Sequence, residues 1–123
     1  MTQEDKELLL KDLCARLPYH TNLYSEYADD NWAILTPVVY AHTANCSPDK
    51  IGIKPYLFPM SSMTAEQKRE YVHLLNCTSN ISMIQITGES TYDWLNKNMF
   101  DWRGLIPKGL ANDATGLGIY KMK

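Results

Sequence analysis

The stretch S-T-Y-D-W-L-N-K-N-M-F-D-W-R-G-L-I-P-K-G-L-A, Ser90 to Ala111, decides what the second half of this chain can become. Ser90 with Asp93 three residues on is a helix-opening pattern, and Tyr92, Leu95 and Met99 follow at helical spacing. The spacing predicts a short helix with those three side chains along its packed stripe. After Phe100, the glycines and Pro107 break regular structure. Two of the three tryptophans, Trp94 and Trp102, stand here beside the run Asp101-Trp102-Arg103-Gly104. Large aromatics next to a charge pair and glycines suit a binding surface as well as a dense corner of the core, and periodicity leaves both open.

Working outward, N-I-S-M-I-Q-I-T over Asn80–Thr87 reads as a strand. Before it, Thr64 with Gln67 three residues on is a capping box, opening a helix to about Leu75 or Asn76 with Tyr71, Val72 and Leu75 on one face. Ile51–Leu57 is a short extended piece constrained by Pro55. Trp32–His42 is rich in β-branched and aromatic residues and predicts a strand, and Pro37 within it predicts an edge or a bulge. Tyr19–Tyr27 reads as a weak strand, and Asp29-Asp30-Asn31 as a turn. At the start, Thr2 and Asp5 cap a helix whose Leu9, Leu10, Leu13, Cys14 and Leu17 recur at helical spacing until Pro18 stops it. Ile119-Tyr120 is read as a last short strand.

This order predicts one α+β domain over residues 1–123: a small curled antiparallel sheet, open or barrel-like, with two or three helices packed on it. There are too few strand-helix-strand units for a doubly wound sheet. At 123 residues there is no room for a second core.

Forty-five per cent hydrophobic and 21% charged residues argue against disorder, and a net charge of −2 argues against a nucleic-acid polycation. The charge is −4 over residues 1–30, 0 over 31–90 and +2 over 91–123. Cys14, Cys46 and Cys77 form no CxxC pair, and His20, His42 and His73 have no metal-ligand spacing, so free thiols in a reducing cytosol are expected. The acidic start is unlike a secretory leader, and no apolar run approaches the ~20 residues that cross a bilayer. The expectation is a cytoplasmic protein with no membrane contact, no metal and no cofactor.

No GxSxG elbow, P-loop or HExxH is present, and Gly116-Leu117-Gly118 is too short for a dinucleotide fingerprint. No catalytic residue is nominated. Two constellations remain. Asp101 and Arg103 either pair with each other to close a turn over a buried Trp102, or leave Arg103 as a fork for phosphate or carboxylate with Trp94 or Trp102 as a stacking face. Lys54 with Ser61, Ser62 and Thr64 either marks ordinary helix capping or forms an anion site at a helix start.

The segments L-L-L-K-D-L-C-A-R-L-P-Y (8–19), I-K-P-Y-L-F-P-M-S-S-M-T (53–64) and Y-D-W-L-N-K-N-M-F-D-W-R-G-L-I-P-K-G-L-A (92–111) are together similar to a family of uncharacterised small proteins from Bacteroides, related gut bacteria and their phages. Where those proteins usually place glycine after L-P-Y, this chain has His20. The resemblance implies a short cytosolic protein carried on phages or mobile elements, with no activity to transfer. By analogy with such proteins, the expected function is a non-enzymatic accessory binder, of the counter-defence kind that sequesters an anionic nucleotide-type signal. Arg103, Lys54, Trp94, Trp102, Ser61, Ser62 and Thr64 are its nominated contacts. A protein-protein inhibitor or adaptor acting on a host protein, and a small phosphoester hydrolase, are the alternatives. Expected partners are an anionic small molecule or a host protein rather than nucleic acid, with self-association left open.

Overall fold

The computed structural model describes residues 1–78 and 91–120. The strand expected at Asn80–Thr87, the side chain of Leu75 and the Ser90 half of the Ser90–Asp93 pattern lie outside the described residues.

Helix α1 spans Gln3–Arg16 and begins with the capping box its sequence announces: the Asp5 N–H donates to the Thr2 hydroxyl at 3.0 Å, and the Thr2 N–H to Asp5 at 3.3 Å. Leu9 and Leu13 are fully buried, as expected, but Cys14 is exposed and the buried stripe also takes in Asp12 and Arg16. Pro18 then sits in a single 3₁₀ turn, Leu17–Tyr19, and the chain leaves it through His20 at φ 53°, ψ 47°. This is the left-handed region, where a side chain costs roughly 1 kcal/mol relative to glycine. His20→Gly is therefore expected to raise the unfolding free energy by up to about 1 kcal/mol, as read by urea denaturation. A loss of stability would show that the imidazole is held by contacts outweighing the backbone strain.

Strands β1 (Asn22–Ser25), β2 (Trp32–Ile34), β3 (Ile53–Leu57) and β4 (Asn112–Asp113) form one sheet in the order β2-β1-β3-β4. The α+β class stands. The sheet is mixed rather than wholly antiparallel: β1 pairs antiparallel with β2 and β3, while β4 runs parallel to β3. It is not closed into a barrel. Among the described residues the last strand is Asn112–Asp113, and Ile119-Tyr120 is irregular chain. In β3 the residues alternate, with Ile53, Pro55 and Leu57 turned to the core. Pro55 is tolerated in this inner strand because it pairs opposite Leu23, while β3 gains its parallel neighbour only from Tyr56 onward.

The strand expected over Trp32–His42 ends at Ile34. Pro37 opens helix α2 (Pro37–Asn45) as its first residue, with Thr36 as the cap accepting the Val39 N–H at 3.2 Å. Proline suits that place because the missing N–H would be an orphan of the first helical turn anyway. Helix α3 (Ala65–Thr78) starts at the expected capping box, in which Thr64 and Gln67 exchange bonds of 2.9 and 3.1 Å. Tyr71 is half-buried, Val72 is exposed, and Leu74 supplies the buried contact.

Helix α4 (Thr91–Lys97) buries Trp94 and Leu95, and leaves Tyr92 exposed instead of on the packed stripe. It ends in a Schellman turn. The Phe100 N–H reaches the Leu95 carbonyl at 2.9 Å and the Met99 N–H the Asn96 carbonyl at 3.1 Å, with Met99 at φ 62° where glycine is usual. The cost of placing a side chain there is offset by burial: Met99 is 4% exposed and belongs to the main core.

Two apolar clusters meet along this turn. One joins α1 to the sheet through Leu9, Leu13, Leu23, Leu57 and Leu105; the other joins α3 to α4 through Met63, Leu74, Trp94, Leu95 and Phe100. Phe58 touches both. Its N–H donates to the Met99 carbonyl at 2.7 Å and its carbonyl accepts the Asp101 N–H at 2.8 Å, so the end of β3 is stitched to the chain behind α4.

Candidate functional site

The 96–106 segment is held by three side chains with separate tasks. Asp101 does not pair with Arg103. It is buried, and its two carboxylate oxygens accept the Leu105 and Ile106 N–H groups at 2.7 and 2.9 Å, which fixes the turn that follows. Arg16, with no exposed surface, clamps Asp12 through two bonds of 2.9 and 3.1 Å and donates to the carbonyls of Asn96 (3.3 Å) and Phe100 (2.6 Å). It thereby adds a charged donor to two carbonyls at and just beyond the end of α4 that already accept the Met99 and Trp102 N–H groups, a place where a cation is favoured. Arg103 reaches the same Asp12 at 2.9 Å from 91 residues away, and its guanidinium carbon lies 3.9 Å from the centre of the Trp102 ring. Among the described residues, Asp12 is thus shared by two guanidinium groups.

The nominated contacts do not gather at one place. Trp94 is a core residue, 5% exposed, stacked between Tyr71 (6.2 Å) and Phe100 (5.7 Å). Trp102 is half-buried, with its indole N–H donating to Asn96 at 2.9 Å. Lys54 stands on the sheet face turned away from Ile53, Pro55 and Leu57, opposite Tyr24. Ser61 is exposed in the 3₁₀ turn Met60–Ser62, the Ser62 hydroxyl donates to the Pro59 carbonyl at 2.7 Å, and Thr64 caps α3. Of the seven, Ser62 lines a cleft beside Phe58 and Arg103 lines a shallower groove against α1.

That cleft has a volume of about 590 Å³. Its apolar surface comes from Tyr19, Phe58, Met99, Phe100 and Tyr120, and its polar rim from Ser62, Gln67, Lys97, Asn98 and Thr115. Phe58 is the central ring, 6.3 Å from Phe100 and 5.7 Å from Tyr120. The remaining wall is the strap Ala114–Tyr120, in which Gly116 and Gly118 take φ values of 79° and 66°. No Asp, Glu, His or Cys among the described residues lines the cleft. Among the described residues, no three such side chains are grouped to hold a metal ion, and no helix is long and apolar enough to cross a membrane.

Tyr120 anchors the strap. The regular pairing of β1 with β3 ends at Leu23 and Pro55, and the Tyr120 hydroxyl stands at the next step. It accepts the Asn22 N–H at 2.9 Å and donates to the Tyr56 carbonyl at 2.8 Å. Burial pushes the phenol well above its ordinary range, outweighing the opposing pull of the Asn22 N–H and of Arg16. Tyr120→Phe leaves two backbone groups without this partner and is expected to cost about 1–3 kcal/mol, as measured by urea unfolding. The sign of the pH effect follows from the raised value. The contribution is complete below about pH 10, where the unfolded phenol is still protonated, and is lost as pH climbs toward the folded value. Above pH 10 the parent should therefore lose stability faster than Tyr120→Phe, by up to about 1.4 kcal/mol per pH unit. Equal slopes would mean that the hydroxyl is not held neutral by the fold.

Sequence reasoning missed the cleft because its rings come from positions 19, 58, 100 and 120, which no spacing connects. The glycine pair at 116 and 118 was a visible signal, but of a strap and not of a nucleotide fingerprint. Comparison with protein-family models, with curated proteins and with solved structures yields no match for this chain.

Proposed function

We propose that this chain is a non-enzymatic accessory binding protein that holds a small anionic, nucleotide-type molecule in the cleft around Phe58. The observation that carries the reading is the cleft's composition: aromatic rings on its apolar side, with Lys97, Gln67 and Asn98 at its rim. Rings of this kind offer stacking faces to a planar base, and a lysine offers charge to a phosphate. Its volume of about 590 Å³ falls within the range of small-molecule sites. Binding is favoured over phosphoester hydrolysis because, among the described residues, no carboxylate, imidazole or thiol lines the cleft to move a proton or attack phosphorus. The counter-defence setting rests on the family resemblance alone.

Calorimetry against cyclic and ADP-ribose-derived nucleotides tests this. One class should bind with a Kd in the micromolar range, weakened about tenfold by Lys97→Ala and abolished by Thr115→Trp, which fills the cleft from an exposed position. Absence of binding across the panel, or binding untouched by Thr115→Trp, would overturn the assignment.

The alternative of a protein-protein inhibitor or adaptor is favoured by one feature. Tyr92 is 59% exposed with its ring 4.7 Å from Trp102, on which Arg103 also stacks. Tyrosine, tryptophan and arginine are the residues that most often dominate interfaces. A stoichiometric partner recovered from host lysate by the parent and lost with Tyr92→Ala would support this second reading over the first.

A further inference from the structure

We infer that the groove between helices α1 and α2 holds a second binding site, for a compact oxyanion of the phosphate type, with Arg103 and Lys11 as its cationic contacts. The site is separate from the cleft around Phe58 and does not depend on the nucleotide reading. The groove encloses about 560 Å³ and is lined by Leu10, Lys11, Cys14, Tyr40 and Arg103, with Glu7 at its α1 edge.

The reasoning starts from charge. Asp12 carries one negative charge and faces two guanidinium groups, so the cluster Asp12–Arg16–Arg103 is left with one positive charge in excess. Its innermost members, Asp12 and Arg16, have no exposed surface. Water therefore cannot screen the excess from within, and charge buried without a partner is costly. Arg16 spends its donors on the Asp12 carboxylate and the carbonyls of Asn96 and Phe100, which fixes it in place.

Arg103 is differently placed. Its side chain is 13% exposed, one terminal nitrogen is bonded to Asp12, and one face is covered by Trp102. A guanidinium carries five donors in a fixed fork, so most of this fork is still available at the edge that lines the groove. Lys11 adds a second cation from α1, and the Tyr40 hydroxyl, neutral near pH 7 as any tyrosine is, stands on the opposite wall. Among the described residues, Glu7 contributes the one carboxylate of the lining. Counting Asp12 and Arg16 behind the wall, the assembly still sums to +1. A singly charged oxyanion seated between Arg103 and Lys11 would bring that sum to zero while taking charge-assisted hydrogen bonds from both cations.

The test is a titration of the isotope-labelled full chain with inorganic phosphate, against sodium chloride at matched ionic strength, followed through the Trp102 indole N–H and the amides of residues 7–15. The expected result is a saturating shift of these signals with phosphate, reaching half-effect below about 10 mM, and no saturation with chloride. Arg103→Gln and the exposed-site variant Lys11→Ala should each weaken the response roughly fivefold or more, while Lys108→Ala, which removes the same charge elsewhere on the surface, leaves it unchanged. Lys11→Ala removes no core contact, so it remains informative if Arg103→Gln disturbs folding. Shifts that rise linearly without saturating, that chloride reproduces, or that survive in Lys11→Ala would overturn the site. Because the readout lies on α1 and Trp102, its failure is distinct from failure of nucleotide binding in the cleft.

Discussion

Arg16→Met should lower the unfolding free energy by about 3–5 kcal/mol, the effect of breaking a fully buried ion pair by removing one partner. The loss would consume a large part of the 5–15 kcal/mol that usually separates folded from unfolded domains. Three consequences combine. Asp12 keeps only Arg103, at the margin of the buried cluster; the carbonyls of Asn96 and Phe100 lose a charged donor; and the end of α1 is released from the turn behind α4. Arg103→Ala should cost far less, on the order of 1 kcal/mol, because the Asp12–Arg16 clamp survives and Arg103 lies nearer solvent. Urea unfolding of the two variants separates these effects. Similar costs for both would show that Arg16 contributes no more than a peripheral pair.

Phe100→Ala is expected to cost about 3–5 kcal/mol, the range for truncating a fully buried phenylalanine. Phe100 is 1% exposed. Its ring lies 5.7 Å from Trp94 and 6.3 Å from Phe58. The Trp94 contact is the apolar partnership that accompanies a Schellman turn, between the residue after the left-handed position and one a turn back in the helix. Truncation should therefore loosen the turn as well as leave a void. It also removes a wall of the cleft, so ligand affinity should fall together with stability. Phe100→Leu keeps most of the volume and should recover more than half of both losses. If the leucine variant recovers stability alone, the ring itself is needed by the ligand. Thermal unfolding and calorimetry on the two variants give the comparison.

The helical capping in this fold was legible because capping is local. Thr2 with Asp5 and Thr64 with Gln67 each place both partners within three residues, and both boxes form as read. Pro37 was misread although the local signal was present. Thr36 followed by proline is a helix start, but the β-branched and aromatic residues around it also match a strand, and composition does not rank the two. Tyr92 and Trp94 exchanged roles for a related reason. A seven-residue helix has under two full turns, so its packed stripe is set by what lies above it. Here Tyr71 of α3 and Phe100 select Trp94.

The Asp12–Arg16 spacing was readable as an ordinary helical pair. Its burial was not, because the groups that cover and satisfy it come from residues 96, 100 and 103. The same distance in sequence hid the cleft. The sequence leaves Arg103 either paired with Asp101 or presented as a fork; in the structure Asp101 is spent on two backbone N–H groups and Arg103 turns to Asp12 of α1.

The most direct measurement of the central claim is an aromatic-resonance titration of the labelled protein with ADP-ribose and with cyclic nucleotides. If the cleft is the binding site, ring signals of Phe58, Phe100 and Tyr120 should shift along one saturating curve with a Kd matching calorimetry. Trp32 and Tyr56, stacked 5.3 Å apart and outside the cleft lining, should stay unmoved. Cleft rings that remain in place through millimolar ligand, or a saturating shift confined to Trp32 and Tyr56, would contradict the account.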